Sequence, residues 1–482
     1  MPSISRLRRP LPVLVMAVAW TATWPAPEAV AQPIVTALTA SGPFLGNAEE
    51  SQTAFARVRS AGAGAMRIYL SWAGTAPRQR PGSWDPTNPD DPNYSWRFTD
   101  EPVQRAVAAG LTPIVLVNDA PAWAERYQIG PAGTNAPDAD ELGQFMLAAA
   151  RRYNGTVAGI PAVRFWLIWN EPNASYFFNP QREGERDVSP GLYRDMVNKS
   201  AASVRSVSDA NRVVAGATYP FAANRPDAQA IGARRFLKEL LSAPVDFDIW
   251  SVHPYTSGNA FHKAFDPEGV SLGDLPAIRQ ILDSAAQSGK IGSRGPVQFW
   301  IDEFSWDSAP PDPSGVPTRL LTRWTSEAVY QAWKSGVSLF AWFQLRDDPM
   351  GAGFQSGLYF RCSGGVACDQ PKPTLAAFRF PFVAYRQPAK RRSGSRRTLP
   401  GKVLVWGRTP AGARGTVTVE QRRGAGWRSV AKVKTDSGGI FSRRIRTNGN
   451  RAMRARTSAG DTAVAFSLRV PADRPETRPF GS

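Results

Sequence analysis

The sequence predicts an α/β chain, a (β/α)8 barrel followed by a small C-terminal β-sandwich, and three observations carry that expectation. Between about 34 and 385 one unit recurs: an amphipathic stretch closing on small residues and glycine, a short apolar run, then a polar loop. Glycine after an amphipathic stretch is a helix stop signal, and helices alternating with apolar runs imply a parallel sheet with helices outside. Eight such runs can be placed, and eight units close a barrel. Beyond residue 400 the pattern changes to short alternating strands, as in a sandwich.

In chain order, the first run lies in "PIVTALTA" (33–40) and the second in "MRIYLSW" (66–72). The third and fourth are "LTPIVLVNDAP" (111–121) and "RFWLIWNE" (164–171). "NRVVAGATYP" (211–220), "DIWSVHPY" (248–255), "VQFWIDEF" (297–304) and "SLFAWFQL" (338–345) supply the rest. Loops entering these runs are mostly short. Those leaving them are long and rich in Trp, Tyr, Pro and Asp, as in "APRQRPGSWDPTNPDDPNYSW" (76–96). In a barrel the long loops share the face where active sites sit.

The expected organisation is a leader at 1–31, a barrel at 32–386, a basic linker at 387–400, a sandwich at 401–470 and a disordered tail at 471–482. Arg6, Arg8 and Arg9 precede the apolar run "LPVLVMAVAW", and Ala29 and Ala31 frame a small-residue cleavage site, the pattern of a secretory signal peptide. The run is shorter than the roughly 18 to 20 residues that span a bilayer, so no stable membrane span is expected. The expected location is extracellular or cell-wall associated. The sandwich is read from "KVLVWGR", "GTVTVEQRR", "WRSVAKVKTD", "GIFSRRIRT", "RAMRART" and "AVAFSLRV".

Charge separates the two parts. Of a formal net charge of +18, residues 387–482 carry +17, from 22 Lys and Arg against 5 Asp and Glu. An excess placed this way suits an anionic wall or glycan surface; a solvated arginine-rich face explains it equally well. No nucleic-acid motif is visible. With two cysteines close together in "RCSGGVACDQ", an exported chain is expected to join Cys362 to Cys368. With only two histidines in the chain, His253 and His262, no metal site is expected, and no organic cofactor.

Residues at strand ends converge on one cleft. Glu171 ends the fourth run and Glu303 the seventh, which places two carboxyl groups across the barrel mouth. That pair is what cleavage of a glycosidic bond needs: one to protonate the leaving oxygen, one to attack the anomeric carbon. Asn170 can donate to a sugar hydroxyl, "SVHPY" brings His253 and Tyr255, and Trp342 can stack on a sugar ring. Loop aromatics Trp72, Trp84, Trp96, Trp123, Trp306, Tyr176 and Phe177 suggest several sugar subsites, and others among them pack the rim.

Through "WNEPN" after the fourth strand and the glutamate of "FWIDEFSW" after the seventh, the chain resembles glycoside hydrolase clan A, the retaining (β/α)8 glycosidases. With "HPY" it looks most like family 39. The resemblance implies Glu171 as acid/base, Glu303 as nucleophile, and Asn170 on the hydroxyl beside the anomeric centre. It also implies that His253 and Tyr255 orient the nucleophile region and that Arg67 helps keep Glu303 ionised. Asp302 stands where the clan commonly has a small or hydroxyl residue; strand alternation is expected to turn it away from Glu303, and an inward Asp302 would challenge Glu303 as nucleophile. "GWRSVAKVKTDSGGIFSRRIRT" resembles the immunoglobulin-like modules appended to bacterial exported proteins. The implied function is hydrolysis of a polysaccharide or oligosaccharide. The rivals are transglycosylation, or glycan binding without turnover.

Overall fold

A computed structural model describes residues 33–40, 42–225, 228–387, 402–447 and 449–469. The expected leader, all of the 387–400 linker except its first residue, and the 471–482 tail lie outside the described residues.

Eight parallel strands close a barrel: β1 (Val35–Thr39), β2 (Ala65–Ser71), β3 (Thr112–Asn118), β4 (Phe165–Ile168), β5 (Arg212–Thr218), β6 (Ile249–Val252), β7 (Gln298–Ile301) and β8 (Leu339–Trp342). Each pairs with its sequence neighbours, and β8 pairs with β1 to complete the circle. Each strand is followed by a helix: α1 (Ala48–Ser60), α2 (Arg97–Ala108), α3 (Ala139–Arg152), α4 (Ser189–Val207), α5 (Ala233–Leu240), α6 (Leu275–Gln287), α7 (Thr318–Lys334) and α8 (Pro373–Arg379). The eight expected runs all become barrel strands.

Period-two alternation divides the strand residues between two cores. Ala37, Ala65, Ile114, Leu116, Leu167, Val214, Ile249, Trp300, Leu339 and Ala341 fill the lumen, where Phe165 and Trp300 meet with ring centres 5.2 Å apart. The alternate residues, such as Leu38, Met66, Val115, Trp166, Trp250 and Phe340, pack outward toward the helices. The apolar lumen therefore ends near the strand C-termini, and the first polar side chains above it form the floor of a site.

The C-terminal part is two three-stranded antiparallel sheets. One is β9 (Phe382–Arg386), β10 (Lys402–Arg408) and β13 (Ile440–Arg446); the other is β12 (Gly426–Lys434), β11 (Thr416–Arg423) and β14 (Met453–Thr457). The sequence expectation of a sandwich beginning at 401 is corrected at both ends. Phe382–Arg386 pairs with β10 along its full length, so the first sandwich strand precedes the linker. Among its described residues, 463–469 of "AVAFSLRV" form no strand and meet β14 through an isolated bridge between Met453 and Phe466 and through the Ala463 N–H, which donates to Ala455 O at 2.9 Å.

The sandwich is seated on the barrel. Trp406 is fully buried against Tyr330 and Trp333 of α7, each with ring centres 5.3 Å away. Arg408, also buried, donates to Thr36 Oγ1 at 3.2 Å, and burial lowers its pKa to about 10. Cys362 and Cys368 are joined as a disulfide in the segment after β8.

Candidate active site

The site begins with a break in the pattern of β4. Trp169 and Glu171 both adopt left-handed backbone, at φ 65° and 44°, a conformation that costs a non-glycine residue about 1–3 kcal/mol. These two turns swing Asn170 and Glu171 off the strand axis and over the mouth. A bulge in β5 receives them: Ala217 O accepts the Glu171 N–H at 2.9 Å. Gly216, at φ 104°, is required there because a Cβ would fall 2.3 Å from Ser251 O. Tyr193 pins the two strands together, donating to Ile168 O at 2.6 Å and accepting from Gly216 N at 2.9 Å. Beyond the turn, Asn173 holds the loop through Tyr219 O and Ile231 O at 2.8 and 2.7 Å.

Six of the expected residues meet in one network. Arg67, on the lumen side of β2, donates to Glu303 Oε2 at 2.8 Å and to Asn170 Oδ1. Tyr255 donates to Glu303 Oε1 at 2.8 Å. His253 Nδ1 lies 2.8 Å from Glu171 Oε1, and its Nε2 lies 3.3 Å from Asp302 Oδ2. Oxygens of Glu171 and Glu303 approach within 4.8 Å of each other and of the His253 ring. The contact of His253 with Glu171 differs from the expected role: its nitrogen is 3.9 Å from Glu303, so it serves the fourth strand's carboxyl first.

Asp302 corrects the sequence expectation. Trp300 is inward on β7, so alternation carries Asp302 inward too, and it is fully buried beneath the mouth. Its Oδ1 accepts from Ser251 Oγ, and its Oδ2 pairs with Arg67 at 3.0 Å and with His253. Both oxygens are thus consumed inside the protein. Glu303 reaches the mouth because the strand stops at Ile301, and its side chain keeps 16 % exposure against none for Asp302. An inward Asp302 therefore leaves Glu303 as the only one of the two that a ligand can touch.

Electrostatics separates the carboxyl groups further. Burial, opposed by His253 and reinforced by Glu303, raises the Glu171 pKa and favours a protonated acid. Asp302 is lowered to about 2: burial opposes its charge, but His253 and Arg67 outweigh burial. His253 is raised to about 10, since Asp302 and Glu303 outweigh the burial that disfavours its charge. Burial and the Glu303 charge push the Tyr255 phenol well above its ordinary value, so it stays a donor. Among the described residues, Glu171, His253 and Glu303 are the one group of acidic and histidine side chains close enough to surround a cation. The raised pKa of His253 favours the imidazolium, which offers no lone pair, and Arg67 already supplies positive charge at Glu303, so these donors do not suit a metal.

Several expected ligand contacts are corrected. Trp342 is fully buried on the outer side of β8, its indole N–H donating to Ser356 O at 2.8 Å. With Leu339 and Ala341 in the lumen, alternation turns Phe340 and Trp342 outward and leaves the half-buried Phe343 as the next inward aromatic. Trp306 is also buried, bonded to Gly258 O at 3.1 Å and packed on Phe304 and Trp324. Trp72, Trp84, Trp96 and Trp123 join Tyr94 and Phe145 in one aromatic cluster that fastens the long β2 loop to α3. Of the seven loop aromatics expected to line subsites, only Tyr176 is openly exposed, and Phe177 is half-buried.

The residues missed by the sequence reading are Ser251, Asn118 and Tyr69. Asn118 ends β3 and accepts the Asn170 N–H at 3.3 Å; its amide faces the Tyr69 hydroxyl at 3.4 Å. Tyr69 lies two residues beyond Arg67 on the same strand face and is 42 % exposed, which places it at the mouth. Period-two counting from Arg67 and from His253 was the signal available for Tyr69 and Ser251.

No protein-family model matches this chain, and no curated protein does. Among solved structures the chain is similar to a family 39 glycoside hydrolase from the gut symbiont Bacteroides cellulosilyticus WH2, with a TM-score of 0.52 and 14 % identity over 86 % of this chain and 79 % of that one. It is also similar to a family 39 β-xylosidase from Caulobacter crescentus, with a TM-score of 0.50 and 16 % identity over 81 % and 83 % of the two chains. At such identities the likeness is one of fold.

Proposed function

We propose that the protein is a retaining glycoside hydrolase in which Glu171 is the acid/base and Glu303 the nucleophile. The observation that carries this reading is the pair of carboxyl groups whose oxygens lie within 4.8 Å, one pushed toward the acid form, the other held by Arg67 and Tyr255. Inverting enzymes need about 6.5–9.5 Å to admit a water, whereas double displacement uses about 5–5.5 Å. Glu303 attacks the anomeric carbon while Glu171 protonates the departing oxygen. Water, deprotonated by Glu171, then releases the sugar from Glu303. The relatives' names, a family 39 hydrolase and a xylosidase, agree with a sugar substrate. The same reading takes the chain as exported, with the basic sandwich meeting an anionic wall or glycan.

Azide tests the assignment. Glu303→Gly should lower turnover of an aryl glycoside by several orders of magnitude, and azide should restore it with an inverted glycosyl azide. Glu171→Ala should lose about 10²–10⁴-fold on poor leaving groups and far less on a dinitrophenolate. Its glycosyl azide should retain configuration. The opposite stereochemical pair would exchange the two roles, and two fully active variants would refute the reading.

A further inference from the structure

Directly beneath the two glutamates lies a set of buried charges that hydrolysis by a carboxyl pair does not by itself require. Arg67, His253 and Asp302 have side chains exposed by 5 %, 0 % and 0 %. Arg67 bridges Asp302 and Glu303 and also lies 3.5 Å from His253 Nε2; His253 bridges Asp302 and Glu171, with Glu303 3.9 Å from its Nδ1. The neighbouring phenols, Tyr255 from the β6 end and Tyr193 from α4, both have raised pKa values, chiefly through burial, and stay neutral. Ser251 on β6 and Asn170 beyond the end of β4 contribute dipoles only.

We propose that Asp302 is a positioning residue that holds His253 as an imidazolium, so that Arg67, His253 and Asp302 form a scaffold of one net positive charge matched to a single carboxylate that moves between Glu303 and Glu171. The inference rests on the acid/base and nucleophile roles given above. Before reaction Glu303 carries the negative charge and Glu171 is protonated. When Glu303 forms the glycosyl bond it becomes a neutral ester, and Glu171, having given its proton to the leaving oxygen, becomes the carboxylate. The total buried charge is the same in both states. In the second the imidazolium N–H, 2.8 Å from Glu171, gives a charge-assisted hydrogen bond to the new anion.

Without Asp302 the scaffold would carry two positive charges, and the imidazolium would lose the carboxylate on its far nitrogen. A neutral ring would then leave the Glu171 carboxylate unsupported in a buried site. Asp302 cannot itself serve the sugar, since both its oxygens are occupied by Ser251, Arg67 and His253. Its work is done through the ring.

The chain's two histidines make a direct test possible. In the full chain labelled with ¹⁵N-histidine, the ring nitrogens of His253 should both remain protonated at pH 8, where an exposed histidine is neutral. In Asp302→Asn the ring should lose its proton at least about one pH unit lower. His253→Gln should move the alkaline limb of kcat/KM on an aryl glycoside upward by about one pH unit, because the cation that lowers the Glu171 pKa is gone. A uniform loss of rate with the limb unmoved would mean a merely structural histidine and overturn the proposal. So would a neutral His253 in the parent at pH 7, a result that needs no variant to fold. A charged ring that responds to Asp302 in a parent inert toward every glycoside would instead sink the glycosidase reading and leave the Asp302–His253 pair standing.

Discussion

Arginine does opposite work at the barrel mouth and on the sandwich. Arg67 is 4 % exposed, and its guanidinium reaches Asp302, Glu303 and Asn170 together. On the outer face of the β12–β11–β14 sheet, Arg454 and Arg456 share the one carboxylate of Glu420 at 2.8 and 3.2 Å, with 26 % and 47 % of their side chains in solvent. Arg422, Arg423, Arg428, Lys432 and Lys434 on the same sheet are exposed. The mouth packs charges of both signs into a largely buried site where each fixes the others. The sandwich spreads charges of one sign where water and salt screen them. Sequence composition sees both regions as arginine-containing; only burial tells organisation from display.

Removing the organising charge should have the larger effect. Arg67→Ala would leave Asp302 with His253 as its sole cationic partner and Glu303 with a phenol. Breaking a buried ion pair from one side costs about 3–5 kcal/mol, and this site belongs toward the lower end because His253 remains. Urea unfolding at neutral pH should show that loss together with a collapse of kcat/KM. Arg67→Lys should recover part of the stability and little of the activity, since an ammonium cannot present the planar fork that now spans three acceptors. A variant Arg67→Ala as stable as the parent would show that the mouth is no more organised than the sandwich face.

How much of this was legible beforehand follows the same division. The barrel could be read because each βα unit repeats its own local signal, and all eight strands occupy the expected runs. Glu171, Glu303, Arg67, Asn170, His253 and Tyr255 could be placed together because parallel strands bring their C-terminal ends to one mouth whatever their sequence separation. What escaped was direction. Trp342 and Asp302 were assigned to the wrong side because alternation was counted without an anchor; Trp300 and Ala341 in the lumen supply one. The strand Phe382–Arg386 escaped for another reason: its partner lies across residues 387–401, and pairing at that separation leaves no local trace. Left-handed Trp169 and Glu171 are invisible to propensity, which disfavours both there.

The displayed charge should matter for attachment and scarcely for folding. Replacing Arg422, Arg423, Arg428 and Lys432 together by Gln removes four exposed cations from that sheet and no buried partner. The parent should be retained on a column of acidic polysaccharide at low salt and released as ionic strength approaches about 1 M, where the Debye length is about 3 Å. The fourfold variant should pass through at low salt with unchanged turnover of a soluble aryl glycoside. Equal retention of both chains would return the basic sheet to a solvated surface without a partner.

The smallest effect is expected where the sandwich comes nearest to imitating the mouth. Glu420 is 8 % exposed by its side chain and is held by two arginines, so its geometry superficially resembles that of the Arg67 cluster. The difference is redundancy and water. Arg454 lies nearer, at 2.8 Å, and is steadied by the Trp427 ring at 4.3 Å, so Glu420 keeps a partner when Arg456 is lost. Arg456 itself is almost half exposed, and screening reduces such a pair to no more than about 0.5 kcal/mol. Arg456→Ala should therefore leave the unfolding midpoint in urea within error of the parent, and added salt should not widen the difference. A loss approaching that of Arg67→Ala would mean that the sandwich face is a closed ion network, and the contrast between the two regions would fail at that point.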